Sequence, residues 1–193
     1  MNYVAHQVLS FSRPAIQLGN LLGEVVKGRK YEHYPSEVQQ GILLHRFIDT
    51  FTDSHPLVHQ STKLLHHQQG KYAPIVVDVL FDYFLIKHWD KFVNEEFSLF
   101  KNNCYTLFQA NTVLYPTRLN EILHYMLKYD WFLTYSTLEG VSKTLKNISK
   151  RTRFENQLSH TEEIIQQNLE NIEENFLLFY PELEKNCHEF LFG

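Results

Sequence analysis

The chain has 193 residues, 44% of them hydrophobic and 15% aromatic, enough to bury a core without disulfide or metal staples, which excludes intrinsic disorder. Seven glycines and six prolines are too few for a loop-rich β-sandwich, and a net charge of -4 offers no basic field for nucleic acid. Cys104 and Cys187 form no CxxC pair, no basic-then-apolar leader opens the sequence, and the most apolar segment, Tyr72 to Ile86, is too short to cross a bilayer; a cytoplasmic protein is expected, with no membrane or nucleic-acid partner.

Apolar residues recur at helical spacing almost throughout, which predicts an all-α, multi-helix bundle forming a single domain over 1–193. Pro14 to Lys27 is the first predicted helix, ended by Gly28. Ser36 to about Asp53 is the second, with Ser36 and Gln39 as a capping box. Pro56 opens a third that runs to about Gln69, and Pro74 a fourth that runs to about Asp90. Further helices are expected near Asn94–Gln109, Pro116–Lys128, Trp131–Lys150, Thr161–Phe179 and Pro181–Phe190, with Ser159 and Glu162 as a second capping box.

The fourth helix carries the sharpest signal. It is apolar on nearly every side, yet Asp78 and Asp82 sit four residues apart within it. A buried carboxylate costs several kcal/mol, roughly, unless it is paired, so a metal, an arginine or a lysine must meet this pair. A buried salt bridge satisfies the pattern as well as a metal does. On the second helix His45, Arg46, Asp49 and Asp53 share an arc opposite Leu43, Leu44, Phe47, Ile48 and Phe51. An imidazole and a carboxylate at i, i+4 can hold one metal ion, and a guanidinium beside them can grip a phosphate; a plain solvated face is the other reading. On the first helix Glu24 shares a face with Asn20 and Lys27 and is a possible ligand or general base. His6, in an apolar run, reads as a satisfied core histidine. Seven further histidines read as surface residues. A single Glu121–His124 E-x-x-H cannot make a di-iron site, which needs two.

Taken as blocks, these segments resemble the acyl-carrier-protein phosphodiesterase family, related to HD-type metal phosphohydrolases. The blocks are Met1 to His6, Gly19 to Gly28, Gly41-Ile42 with His45-Arg46 and Ile48-Asp49, Thr52 to Pro56, and Tyr72 to Trp89 with Asp78 and Asp82. The resemblance implies hydrolysis of the phosphodiester joining 4'-phosphopantetheine to a serine of acyl carrier protein, with manganese as cofactor (magnesium as alternative). Asn20, His45, Arg46, Asp49, Asp78 and Asp82 fall on matching positions. Glu24 stands where the family usually has aspartate, and Tyr83 where it usually has histidine.

The expected site therefore holds a divalent ion by Glu24, His45, Asp49, Asp78 and Asp82. Arg46 would neutralise charge on phosphorus, and Asp53 or His55 would move a proton. Residues 1–90 carry this chemistry; 91–193 complete the bundle and offer a docking stripe for an acidic carrier protein, Lys143, Lys146, Lys150 and Arg153 at i, i+3, i+7, i+10. Competing expectations are an HD-like phosphohydrolase for another phosphoester, a metal-free binding relative, and a purely structural bundle.

Overall fold

The computed structural model describes residues 1–193 and contains helices and turns with no strand. Eleven α-helices follow in order: α1 (Tyr3–Val8), α2 (Pro14–Gly23), α3 (Ser36–Ser54), α4 (Pro56–Gln69), α5 (Ala73–Lys87), α6 (Trp89–Phe92), α7 (Phe97–Ala110), α8 (Thr117–Lys128), α9 (Trp131–Thr134), α10 (Leu138–Ser149) and α11 (Glu162–Phe192). Short 3-10 turns lie at Gly28–His33, Gly70–Tyr72 and Thr112–Leu114.

α5 is apolar on nearly every side because it is packed on nearly every side, by α1, α4, α10 and α11. Its contact with α11 is aromatic: Phe81 meets Phe176 and Phe179 at ring-centroid distances of 5.4 Å each, and Phe84 meets Phe176 at 5.9 Å. All four rings are fully buried, each stabilising the fold by roughly 1.5–3 kcal/mol.

This packing overturns one expected boundary. A break at Pro181 is predicted, but α11 runs through it. A proline inside a helix costs about 3 kcal/mol. The burial of Phe176, Phe179, Tyr180 and Leu183 on one face offsets that, and Pro181 itself lies on the exposed side. The expected Trp131–Lys150 helix is instead two pieces, because the Thr137 side chain accepts from the Gly140 N–H at 3.1 Å and starts α10 anew. Neither capping box forms. Pro35 and Thr161 occupy the N-cap positions, and the Gln39 side chain donates instead to the carbonyls of Glu32 and Tyr34.

α2 and α3 cross with their backbones in close contact. A Cβ on Gly19 would lie 2.1 Å from the Val38 carbonyl oxygen, and one on Gly41 would lie 2.3 Å from that of Ile16. Only a glycine pair lets the two backbones meet here. The crossing sets Asn20, next to Gly19, against His45, one turn beyond Gly41.

Candidate metal centre

Three side chains converge beside this crossing. His6 comes from α1, His45 and Asp49 from α3, and their ligand atoms lie within 4.8 Å of one another. The His6 and His45 rings are 4.4 Å apart between centroids. Gly23 of α2 makes room for the second ring, since a Cβ there would fall 2.4 Å from His45 Cγ. Both histidines are buried, whereas the Asp49 side chain is 49% exposed, so the cluster opens to solvent on its carboxylate side.

Asn20 fixes what each ring presents. Its Nδ2 donates to the His6 carbonyl at 2.8 Å and to Ser10 Oγ at 3.1 Å, and Ser10 Oγ donates in turn to the same carbonyl at 2.9 Å. A carbonyl can only accept, so the Asn20 amide has one orientation, with Oδ1 facing the rings. Oδ1 accepts from His6 Nδ1 at 2.8 Å and from His45 Nδ1 at 3.2 Å. With Nδ1–H of each ring given to Asn20, both rings turn Nε2 toward Asp49. The separations are 3.3 Å from His6 Nε2 to Oδ1 and 3.3 Å from His45 Nε2 to Oδ2. Two imidazole lone pairs facing a carboxylate need a shared cation, either a proton on one ring or a divalent ion. A metal-ligating histidine characteristically gives its other nitrogen to an oxygen acceptor, so the donor set fits a metal.

Electrostatics agree. Burial, reinforced by the His6 charge, pushes the His45 imidazole down to about 3, so it stays neutral and able to ligate. Burial tends to raise the Asp49 carboxyl, but when the shared cation is a proton on His6, the hydrogen bond and charge it brings, joined by the N-terminal ammonium, outweigh burial and hold the group below the usual carboxylate range. A small cavity of about 70 Å³ adjoins the cluster, lined also by Asn2, Tyr3, Gln7, Asn20 and Glu24. Gln7 Oε1 is buried there without a hydrogen-bond partner.

The other expected site residues lie apart from this cluster. The fully buried Asp82 accepts from the N–H groups of Asn2 (3.1 Å), Val4 (2.8 Å) and Ala5 (3.3 Å), anchoring the start of α1. Burial pushes its carboxyl up to about 6 in spite of those three donors. Asp78 pairs with the Met1 ammonium at 2.7 Å. The Met1 ammonium thus meets Asp78, and the N–H groups at the start of α1 meet Asp82, which answers the need for compensation that this carboxylate pair creates. Arg46 donates to the carbonyls of Val26 (3.1 Å) and Gly28 (2.8 Å) and lies over the Tyr31 ring, clamping the turn after α2. His55 caps α4 by accepting from the Leu57 N–H and meets Glu182 at 3.3 Å. Asp53 is exposed, its carboxyl raised by partial burial and by the nearby Asp78 charge. Glu24 lines the cavity without belonging to the three-ligand cluster, and Tyr83 lines no part of it. The docking stripe is shorter than expected. Lys143, Lys146 and Lys150 are exposed along and just past α10, with Lys146 paired to Glu162 at 2.6 Å, but Arg153 lies beyond the helix end, its guanidinium over Phe154.

His6 is the residue that sequence reasoning missed. It belongs to a six-residue helix with no amphipathic pattern, and its partners lie 39 and 43 positions away, so no spacing rule could join them. The available signal was its place in the Met1 to His6 block of the family resemblance.

The fold and the site define an all-α protein with a two-histidine, one-carboxylate centre suited to a divalent cation. Residues 1–183 match the family described as "Acyl carrier protein phosphodiesterase". The chain is similar to proteins of that name from Photorhabdus laumondii (31% identical, covering 94% of this chain and 92% of that protein) and Yersinia pestis (30% identical, 97% of each). A third, from Salmonella newport, is 30% identical over 95% of each chain. No solved structure matches. The chain belongs to the acyl carrier protein phosphodiesterase family.

Proposed function

We propose that this protein is a metal-dependent phosphodiester hydrolase that releases 4'-phosphopantetheine from holo acyl carrier protein. The observation that carries the reading is the His6–His45–Asp49 cluster with Asn20 behind it, in a chain whose relatives bear that enzyme's name. Water adds to phosphorus, the bond from phosphorus to the serine oxygen breaks, and that oxygen leaves with a proton as apo carrier protein.

His6, His45 and Asp49 would hold the ion; two imidazoles and a carboxylate suit Mn²⁺, the family's implied metal, and other first-row divalent ions as well. Bound there, a divalent ion supplies Lewis-acid polarisation of the phosphoryl group and a water acidic enough to react near neutral pH. Asn20 keeps both rings in the ligating tautomer. Glu24, which lines the cavity, would accept the proton of the attacking water. The exposed Lys143 and Lys150 are the docking residues for an acidic carrier protein.

The test is incubation of holo acyl carrier protein with the protein and Mn²⁺, with and without chelator, scoring the apo form by mass. Chelator-sensitive conversion, lost in Asp49→Asn, is expected. Conversion that survives both chelator and Asp49→Asn would overturn the assignment of the centre, and metal binding with no conversion would point to a different phosphoester.

A further inference from the structure

The cavity at the metal cluster, about 70 Å³, has room for an ion and a phosphoryl group but not for pantetheine. A second, larger cleft of about 500 Å³ lies beside it, within the size range of small-molecule sites. The two share walls, because Asn2 and Tyr3 line both. The larger cleft is formed between the start of α1 and helices α8, α9 and α10, and it is aromatic: Tyr125, Tyr129, Trp131 and Tyr135 line it, with Lys143 and Arg151 as its charged groups. Tyr3 packs against Trp131 at 5.4 Å between ring centroids, and Arg151 lies over the Tyr125 ring at 5.7 Å. Tyr125 and Tyr129 are stacked nearly parallel and remain 42% and 50% exposed. Exposed parallel rings beside an aromatic wall are an unusual use of surface, and the metal cluster does not account for them.

We infer that this cleft seats the pantetheine arm of the substrate, which would enter it from the metal cavity past Asn2 and Tyr3. The inference rests on the phosphodiesterase reading and extends it to a part of the substrate remote from the reacting phosphorus. The chemistry matches. Pantetheine is uncharged, with a branched apolar end and two amide groups. Aromatic faces accept its apolar stretches, and the Tyr135 hydroxyl and Asn2 amide, 3.5 Å apart at the junction, offer hydrogen bonds to its amides. Binding energy gathered there would hold the phosphodiester against the metal centre, so the arm contributes to positioning as well as to recognition.

Trp131 makes the inference measurable, because the only other tryptophan, Trp89, is buried away from the cleft. Metal-free, full-length protein is titrated with pantetheine, which carries no phosphate, while tryptophan emission is followed. A saturable change is expected, absent in Trp131→Phe. The Tyr125→Ala/Tyr129→Ala double variant, whose two rings are about half exposed and whose fold is checked by circular dichroism, should weaken pantetheine and raise KM for holo carrier protein, each by roughly tenfold. It should leave the affinity for apo carrier protein, which lacks the arm, unchanged. No emission change at millimolar pantetheine together with an unaltered KM would overturn the inference. Equal weakening of apo and holo carrier protein would overturn it too, assigning the cleft to the carrier protein itself. Failure of the two ideas is distinguishable: a positive titration with no release of phosphopantetheine leaves the cleft standing and removes the proposed reaction, whereas release without any response to the variants removes only the cleft.

Discussion

With both amide hydrogens committed to the His6 carbonyl and Ser10 Oγ, the Asn20 side chain has only its oxygen to offer the two imidazoles, and a single atom thereby sets two tautomers. Asn20→Ala would release both rings. Such supporting contacts are worth about 10–100-fold in metal affinity. Calorimetric titration with Mn²⁺ should show a loss of that order for Asn20→Ala with helical circular dichroism retained; wild-type affinity would refute the orienting role. Asp82 predicts the opposite pattern. Asp82→Asn replaces an acceptor oxygen by a donor that faces backbone N–H groups in a fully buried position, so unfolding free energy should drop by about 2–4 kcal/mol. The Mn²⁺ stoichiometry of the folded fraction should stay unchanged. Denaturant titration and metal analysis of the two variants together separate a ligand-orienting residue from one that seats a helix.

At the scale of elements, the end of α5 is tied to α11 by Glu173, which accepts from Lys87 Nζ and meets His88 Nε2 at 2.5 Å. Partial burial tends to raise the Glu173 carboxyl, but the hydrogen bonds from Lys87 and His88 and their charges outweigh it and lower the group overall. The folded form therefore binds a proton less readily than the unfolded chain. The stabilisation is present above the ordinary glutamate range near 4.5 and is lost as pH falls below it. Melting curves of wild type and Glu173→Gln should converge between about pH 5 and pH 3 and differ above; a constant gap would exclude the linkage. The long elements were legible in the sequence: Pro56 and Gly70 bracket α4 as expected, and α3 and α8 lie within a residue or two of their predicted bounds. α1 was not legible, because six residues carry too little periodicity and the helix is fixed by Asp82, some 80 positions away. The course of α11 through Pro181 was hidden for a related reason, since its stabilisation lies in rings donated by α5.

For the whole molecule, charge is divided in a way its net value of -4 conceals, with Lys143 of α10 exposed on the wall of the aromatic cleft and Lys150 exposed just past the helix end. Attraction of an acidic partner to these lysines is screened by salt over a Debye length of about 8 Å at physiological strength. Reversal at both positions, Lys143→Glu/Lys150→Glu, should reduce kcat/KM for holo carrier protein and flatten its salt dependence, read from rates at several ionic strengths. Unchanged salt dependence would place docking elsewhere. The centre itself was half legible. His45 and Asp49 share a helix, so periodicity alone puts them on one face, and the structure brings them together. His6 is added by tertiary packing. Asp78 and Asp82 signalled a need for compensation, and only the fold shows that the Met1 ammonium and the backbone N–H groups at the start of α1 supply it.

His6 rides on α1, apart from the other two members of the cluster. Two of the three groups that could share an ion belong to a long helix locked into the bundle, while the third sits on a six-residue segment attached through Asp82. An ion shared among them would act as a clasp on that segment. Its departure would wait on the fraying of α1, and the exchange of the Leu9 and Ser10 amides, which bond back to α1 carbonyls, would slow in step with metal occupancy.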